Sequence, residues 1–74
     1  MSTSTELITW NHLPEAGFPD SDTTVLVALE GADEPTWFGY WDTESLCWRD
    51  AATGGTFTSR VTKWADMPTA GSTL

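Results

Sequence analysis

Few residues in this chain are equipped for chemistry. It has one histidine, His12, and one cysteine, Cys47. Catalytic triads and most zinc sites draw on several bases or ligands, and a lone imidazole supplies one. His12, beside Leu13 and Pro14, reads as a loop residue. Cys47 lies between Leu46 and Trp48 in an extended stretch. A reactive thiol needs a nearby base, a cation or a helix N-terminus, and Arg49 is the one obvious cation on its strand face. An inert, buried thiol is therefore expected. One cysteine allows no intramolecular disulfide and fits a reducing compartment. "DSD" (20–22) and "DTE" (42–44) hold carboxylates, but neither follows the calcium-loop spacing with its central glycine and closing glutamate. They read as turn residues that bond their own backbone. "TGG" (53–55) is followed by no Lys-Ser/Thr and no helix, so it is a hairpin turn rather than a phosphate cradle. The expectation is a non-enzymatic protein with no cofactor and no metal.

The elements that would position these residues are strands. "TVLVAL" (24–29) is β-branched and apolar and is bounded by turn residues. "TWFGYW" (36–41), "LCWRD" (46–50) and "TFTSRVTKW" (56–64) follow at short intervals, separated by "EGADEP", "DTES" and "ATGG". Helical periodicity is poor, with room for a single turn near Pro14–Ala16 or after Trp64. The pattern predicts a mainly β fold: a small antiparallel meander of about four strands in one domain, residues 7–69. Disordered tails are expected at 1–6 and 70–74.

"ITWNHLP" from Ile8 and "VTKWADMP" from Val61 share a plan: a β-branched residue and Thr, then Trp-x-x-[Leu/Met]-Pro. Proline cannot donate to a ladder, so each phrase reads as a strand that ends at its proline. The two phrases are expected to pack side by side and close the sheet, with Trp10 and Trp64 both buried and close together.

The layout resembles a family of short phage and prophage proteins of unknown function. Those chains open on Trp-x(n)-Leu-Pro and close on Val-Thr-His-Trp-Met-Pro-Leu-Pro. The matching stretches here are "WNHLP", "TVLVAL", "FGYWD", "LCW", "GG" and "VTKWADMP", from about Ile8 to Pro68. Lys63 stands where the family has histidine, and "AD" where it has Met-Pro. The resemblance implies a small β fold and a phage context, hence the cytoplasm of a bacterial host. It implies no activity.

Eleven acids against Arg49, Arg60 and Lys63 give a net charge of −8 in 74 residues. Affinity for a nucleic-acid or anionic membrane surface depends on Lys and Arg, so neither is an expected partner. Acidity also keeps a small protein dispersed, which is its bland explanation. In a meander, Glu15, Asp20, Asp22, Asp42, Glu44 and Asp66 gather at one end of the sheet. Glu30, Asp33, Glu34 and Asp50 gather at the other, with Arg49 and Arg60 nearer to them.

The leading expectation is a monomer or weak dimer whose first pole contacts a host protein or complex with a basic surface. It would act as a nucleic-acid mimic of the anti-CRISPR or anti-restriction type. The alternative is an accessory or structural phage domain that binds through aromatic residues. Alternation puts Trp37, Gly39 and Trp41 on one face and Phe38 and Tyr40 on the other, so Phe38 and Tyr40 are the candidate contacts.

Overall fold

The computed structural model describes Thr3 and residues 5–68. Met1, Ser2 and Ser4 of the expected first tail, and all of the second, lie outside the described residues. Five strands form one antiparallel sheet: β1 (Asn11–His12), β2 (Val25–Leu29), β3 (Thr36–Asp42), β4 (Cys47–Asp50) and β5 (Val61–Asp66). The described residues contain no helix. Ala16 N–H donates to His12 C=O, closing a single α-turn that contains the cis Leu13–Pro14 bond.

The strand order is β1-β5-β2-β3-β4. Strands β2, β3 and β4 form the expected meander. The last strand does not continue it beyond β4. It crosses back and pairs with β2 on the opposite side, from Val25↔Asp66 to Leu29↔Val61. Two features favour this order. In β2, Val25 and Val27 are completely buried, as suits a central strand. The outer edge of β4 is already closed, by a bridge from Arg49 to Thr56 and by Asp50 N–H donating to Gly55 C=O. No long open edge remains there to template another strand.

The two Trp-x-x-[Leu/Met]-Pro phrases do meet. Strand β1 pairs with β5 through Asn11↔Trp64 and His12↔Lys63. His12, expected in a loop, closes this short edge strand. Trp10 and Trp64 part company, however. The pairing puts Trp10 on the face of Lys63, one residue out of phase with Trp64. Lys63 Nζ lies 5.3 Å from the Trp10 ring centroid. Trp64 packs instead on the valine core and donates its indole N–H to Gly17 C=O at 2.8 Å. Both rings are half-buried, where full burial was expected.

The core is aliphatic at its centre and aromatic at its rim. Val25, Val27 and Val61 are buried, with Leu13, Leu29, Trp37, Trp48, Phe57 and Trp64 packed around them. A bulge makes this possible. Ala28 faces Lys63 but Leu29 faces Val61, so Thr62 is an extra residue. That extra residue returns Val61 to the face of Val25 and Val27, which strict alternation would deny it. Loops then cover this face. Phe18 stacks on Trp41 at 3.9 Å between centroids, and the Phe57 ring lies over Gly39. A Cβ on Gly39 would stand 2.8 Å from Phe57 Cε2 and 2.6 Å from the Arg49 carbonyl oxygen, so only glycine fits.

Candidate functional site

The end of the sheet that carries the start of β2 and the ends of β3 and β5 is acidic. Backbone and hydroxyl bonds assemble it. Asp22 N–H donates to Trp41 C=O at 2.9 Å. The Ser21 hydroxyl donates to the same carbonyl and accepts from Thr43 N–H. The loop with Asp20 and Asp22 is thereby stitched to the β3–β4 turn with Asp42 and Glu44. Asp22 has a φ of 65°, a left-handed conformation that aspartate tolerates better than most residues. Asp66 reaches the same end through its pairing with Val25. Phe18, stacked on Trp41, supports the loop from the covered face.

Glu15 is placed apart from this group. Leu13 N–H bonds Thr62 C=O, and the chain turns at Pro14–Gly17 immediately afterwards. Thr62 lies about 13 Å down β5 from Asp66, at roughly 3.3 Å of rise per residue.

Asp42 has a different job from its neighbours. Its Oδ2 accepts from Arg49 Nε at 2.8 Å, and its Oδ1 accepts from the Glu44 and Ser45 amides. The Arg49 hydrogen bond holds the Asp42 carboxyl below its ordinary 3.8. Partial burial opposes this, and the Ser45 and Glu44 contacts add to it. Arg49 also donates to Gly54 C=O and to the Ser45 hydroxyl. One guanidinium thus ties the β3–β4 turn to the turn after β4. Arg49 was expected nearer the other pole. Its Cα is paired with Tyr40, but its side chain reaches back along β4 to Asp42. The signal for this was in the sequence: a short hairpin puts two residues that flank its turn on one face. Ser21 carried no comparable signal, because its role depends on a loop folding against a distant turn.

The carboxylates of Asp20, Asp22, Glu44 and Asp66 make no hydrogen bond or ion pair among the described residues, and all four residues are exposed. They are arrayed rather than converged. Among the described residues, no three His, Cys, Asp or Glu side chains are placed to hold a metal ion. A spread of separate negative charges matches an extended basic surface better than a point cation.

The second candidate, Phe38 and Tyr40, lies on the opposite face with Leu26 and Ala28, by strand alternation. Both aromatic residues are half-buried. Phe38 stacks on Trp37 at 5.2 Å. The end segments reach this face only at its β5 side, where Trp10 meets Lys63. Cys47 is a free, half-buried thiol, less enclosed than expected. No helix among the described residues is long and apolar enough to cross a membrane. Comparison with known protein families, with curated proteins and with solved structures finds no match to this chain.

Proposed function

We propose that this chain is a non-enzymatic binding protein that occupies the basic, nucleic-acid-binding surface of a bacterial host protein or complex. It acts in the host cytoplasm as a nucleic-acid mimic of the anti-CRISPR or anti-restriction kind. The observation that carries this reading is the array of Asp20, Asp22, Glu44 and Asp66. These exposed carboxylates are held at one sheet end by a stitched loop and turn and by the end of β5, and no cation among the described residues pairs with them. Clustered like charges repel, and a complementary surface offsets that repulsion while speeding association. The net charge of −8 gives the same field a long reach at low salt. The bacterial-host setting is taken from the sequence resemblance to short phage proteins alone.

Reversal of Asp20, Asp22 and Asp66 to Lys tests the reading. Asp42 is left alone because it holds Arg49. The variant should keep its fold: the Asp20 and Asp66 changes cost about 0.5 kcal/mol or less each, and Asp22→Lys, at a left-handed φ that suits aspartate better than lysine, costs about 1 kcal/mol. Its association with the partner should slow markedly, and salt added to the parent should slow it likewise. Binding that ignores both the reversal and the salt, but fails in Tyr40→Ala, would move the contact to the Phe38–Tyr40 face. That face is the second reading, favoured by two half-buried aromatic residues on it.

A further inference from the structure

At the other end of the sheet lies a cleft of about 260 Å³. Trp37 and Phe57 line it with Leu29, and so do the carboxylate residues Glu34 and Asp50. We propose that this cleft is a receptor for a single arginine side chain presented by a basic protein partner.

Both aromatic rings are fixed before any ligand arrives. Trp37 donates its indole N–H to Asp50 Oδ1 at 3.1 Å, which locks the ring plane. Phe57 is held over Gly39, where no side chain competes for the space. Ala52 N–H also donates to Asp50 Oδ1 at 2.7 Å, so the carboxylate is anchored through one oxygen. Its Oδ2 makes no hydrogen bond among the described residues. Glu34, in the turn between β2 and β3, is exposed and likewise makes no hydrogen bond or ion pair among them. Aromatic faces beside carboxylates that are free to accept suit a cation. Arg60, next in sequence to Ser59, does not line the cleft.

Size and shape select the occupant. The volume falls below the roughly 300–1,000 Å³ typical of pockets for drug-sized ligands, so a side chain fits better than a cofactor. A guanidinium is planar, stacks on an indole face and donates in a fork to carboxylates. An ammonium is compact and more strongly hydrated, and gains less from such rings. The site deepens the proposed function, on which it rests for the nature of the partner. Buried arginines are frequent anchors of protein interfaces, and the acidic array at the opposite end would then steer while this cleft anchors.

The probe is N-acetyl-arginine amide, titrated into the full chain while the indole N–H resonances are followed by NMR. The expected result is a saturable shift of the Trp37 indole, with a Kd on the order of millimolar. The citrulline analogue, isosteric but neutral, should not bind. The lysine analogue should bind more weakly. Glu34→Gln should weaken arginine binding about two- to fivefold, in keeping with one exposed charge pair. Glu30→Gln, outside the cleft, is the control. Equal binding of citrulline, equal shifts at all five indoles, or an unaltered affinity in Glu34→Gln would overturn the proposal. The Asp20, Asp22 and Asp66 reversal should leave the probe in place at moderate salt. Failure of the cleft and failure of the acidic array are therefore separately readable.

Discussion

Gly39→Ala is a small change with a large expected effect. The new Cβ would stand 2.6 Å from the Arg49 carbonyl oxygen, against 3.4 Å for the near limit of ordinary contact. Phe57 could swing its ring aside, but the Arg49 carbonyl is backbone in β4, next to the Gly39↔Asp50 pair. Relief therefore requires β3 and β4 to separate, or the ladder to distort. Overpacking of this kind costs about 1–3 kcal/mol, and a backbone obstacle belongs at the upper end. Lower chain entropy in the unfolded state returns about 0.4–1 kcal/mol. The net loss is about 1–2.5 kcal/mol, from a total stability of about 4–11 kcal/mol for a chain of this size. At about 4–8 °C per kcal/mol, Tm should fall by about 4–20 °C. Thermal unfolding by circular dichroism is the assay, with Gly55→Ala as the control. Gly55 has only Thr53 Oγ1 near its Cβ position, at an ordinary 3.5 Å, so its variant should melt close to the parent. If Gly39→Ala melts at or above the parent, the close approach of β4 and Phe57 to Gly39 is wrong.

The two tryptophans of the end phrases should differ. Trp64→Ala removes a ring packed on the core and its bond to Gly17, and should cost about 3–5 kcal/mol in urea denaturation. Trp10→Ala loses mainly a contact with Lys63 and should cost clearly less; equal losses would contradict the register of β1. Asp42→Asn should remove a pH-dependent part of stability. The Asp42 carboxyl is depressed on folding, so its contribution is full above the ordinary 3.8 and is lost as pH falls through the folded value. The stability gap between parent and Asp42→Asn should therefore be widest near neutral pH and close in acid. A gap that does not change with pH would show that Arg49 does not hold the charge.

Much of the sheet was legible because local pattern and burial agree. The β-branched, apolar run "VLVAL" and the turn residues after Leu29 and Asp42 mark β2, β3 and their ends directly. The placement of β5 was not legible in the same way. A fourth strand can continue a meander or return to the first strand, and spacing alone allows both. What decides is that β4 has its outer edge closed by its own following turn, and that β2 needs burial on both sides. Trp10 was misplaced for a related reason: pairing two similar phrases does not set their phase, and one residue of slip exchanges faces. The bulge at Thr62 is equally silent in sequence, since it is defined by the partner strand. At the acidic end, Asp20, Asp22, Asp42, Glu44 and Asp66 could be grouped from topology. Glu15 could not, because the return path of its loop depends on Trp64 bonding Gly17. The cleft between Trp37 and Phe57 required the crossover after β4, which no local pattern reveals.

If the acidic end substitutes for nucleic acid on a basic protein surface, the chain and a nucleic-acid probe must compete for that surface. The host partner is first captured at low salt, then loaded with a fluorescent duplex or guide-strand probe. The parent chain is titrated in, followed by the Asp20, Asp22 and Asp66 reversal. The parent should release the probe stoichiometrically, the reversal should do so far less well, and salt should weaken the release. A ternary complex in which chain and nucleic acid sit on the partner together, unaffected by the reversal, would contradict it.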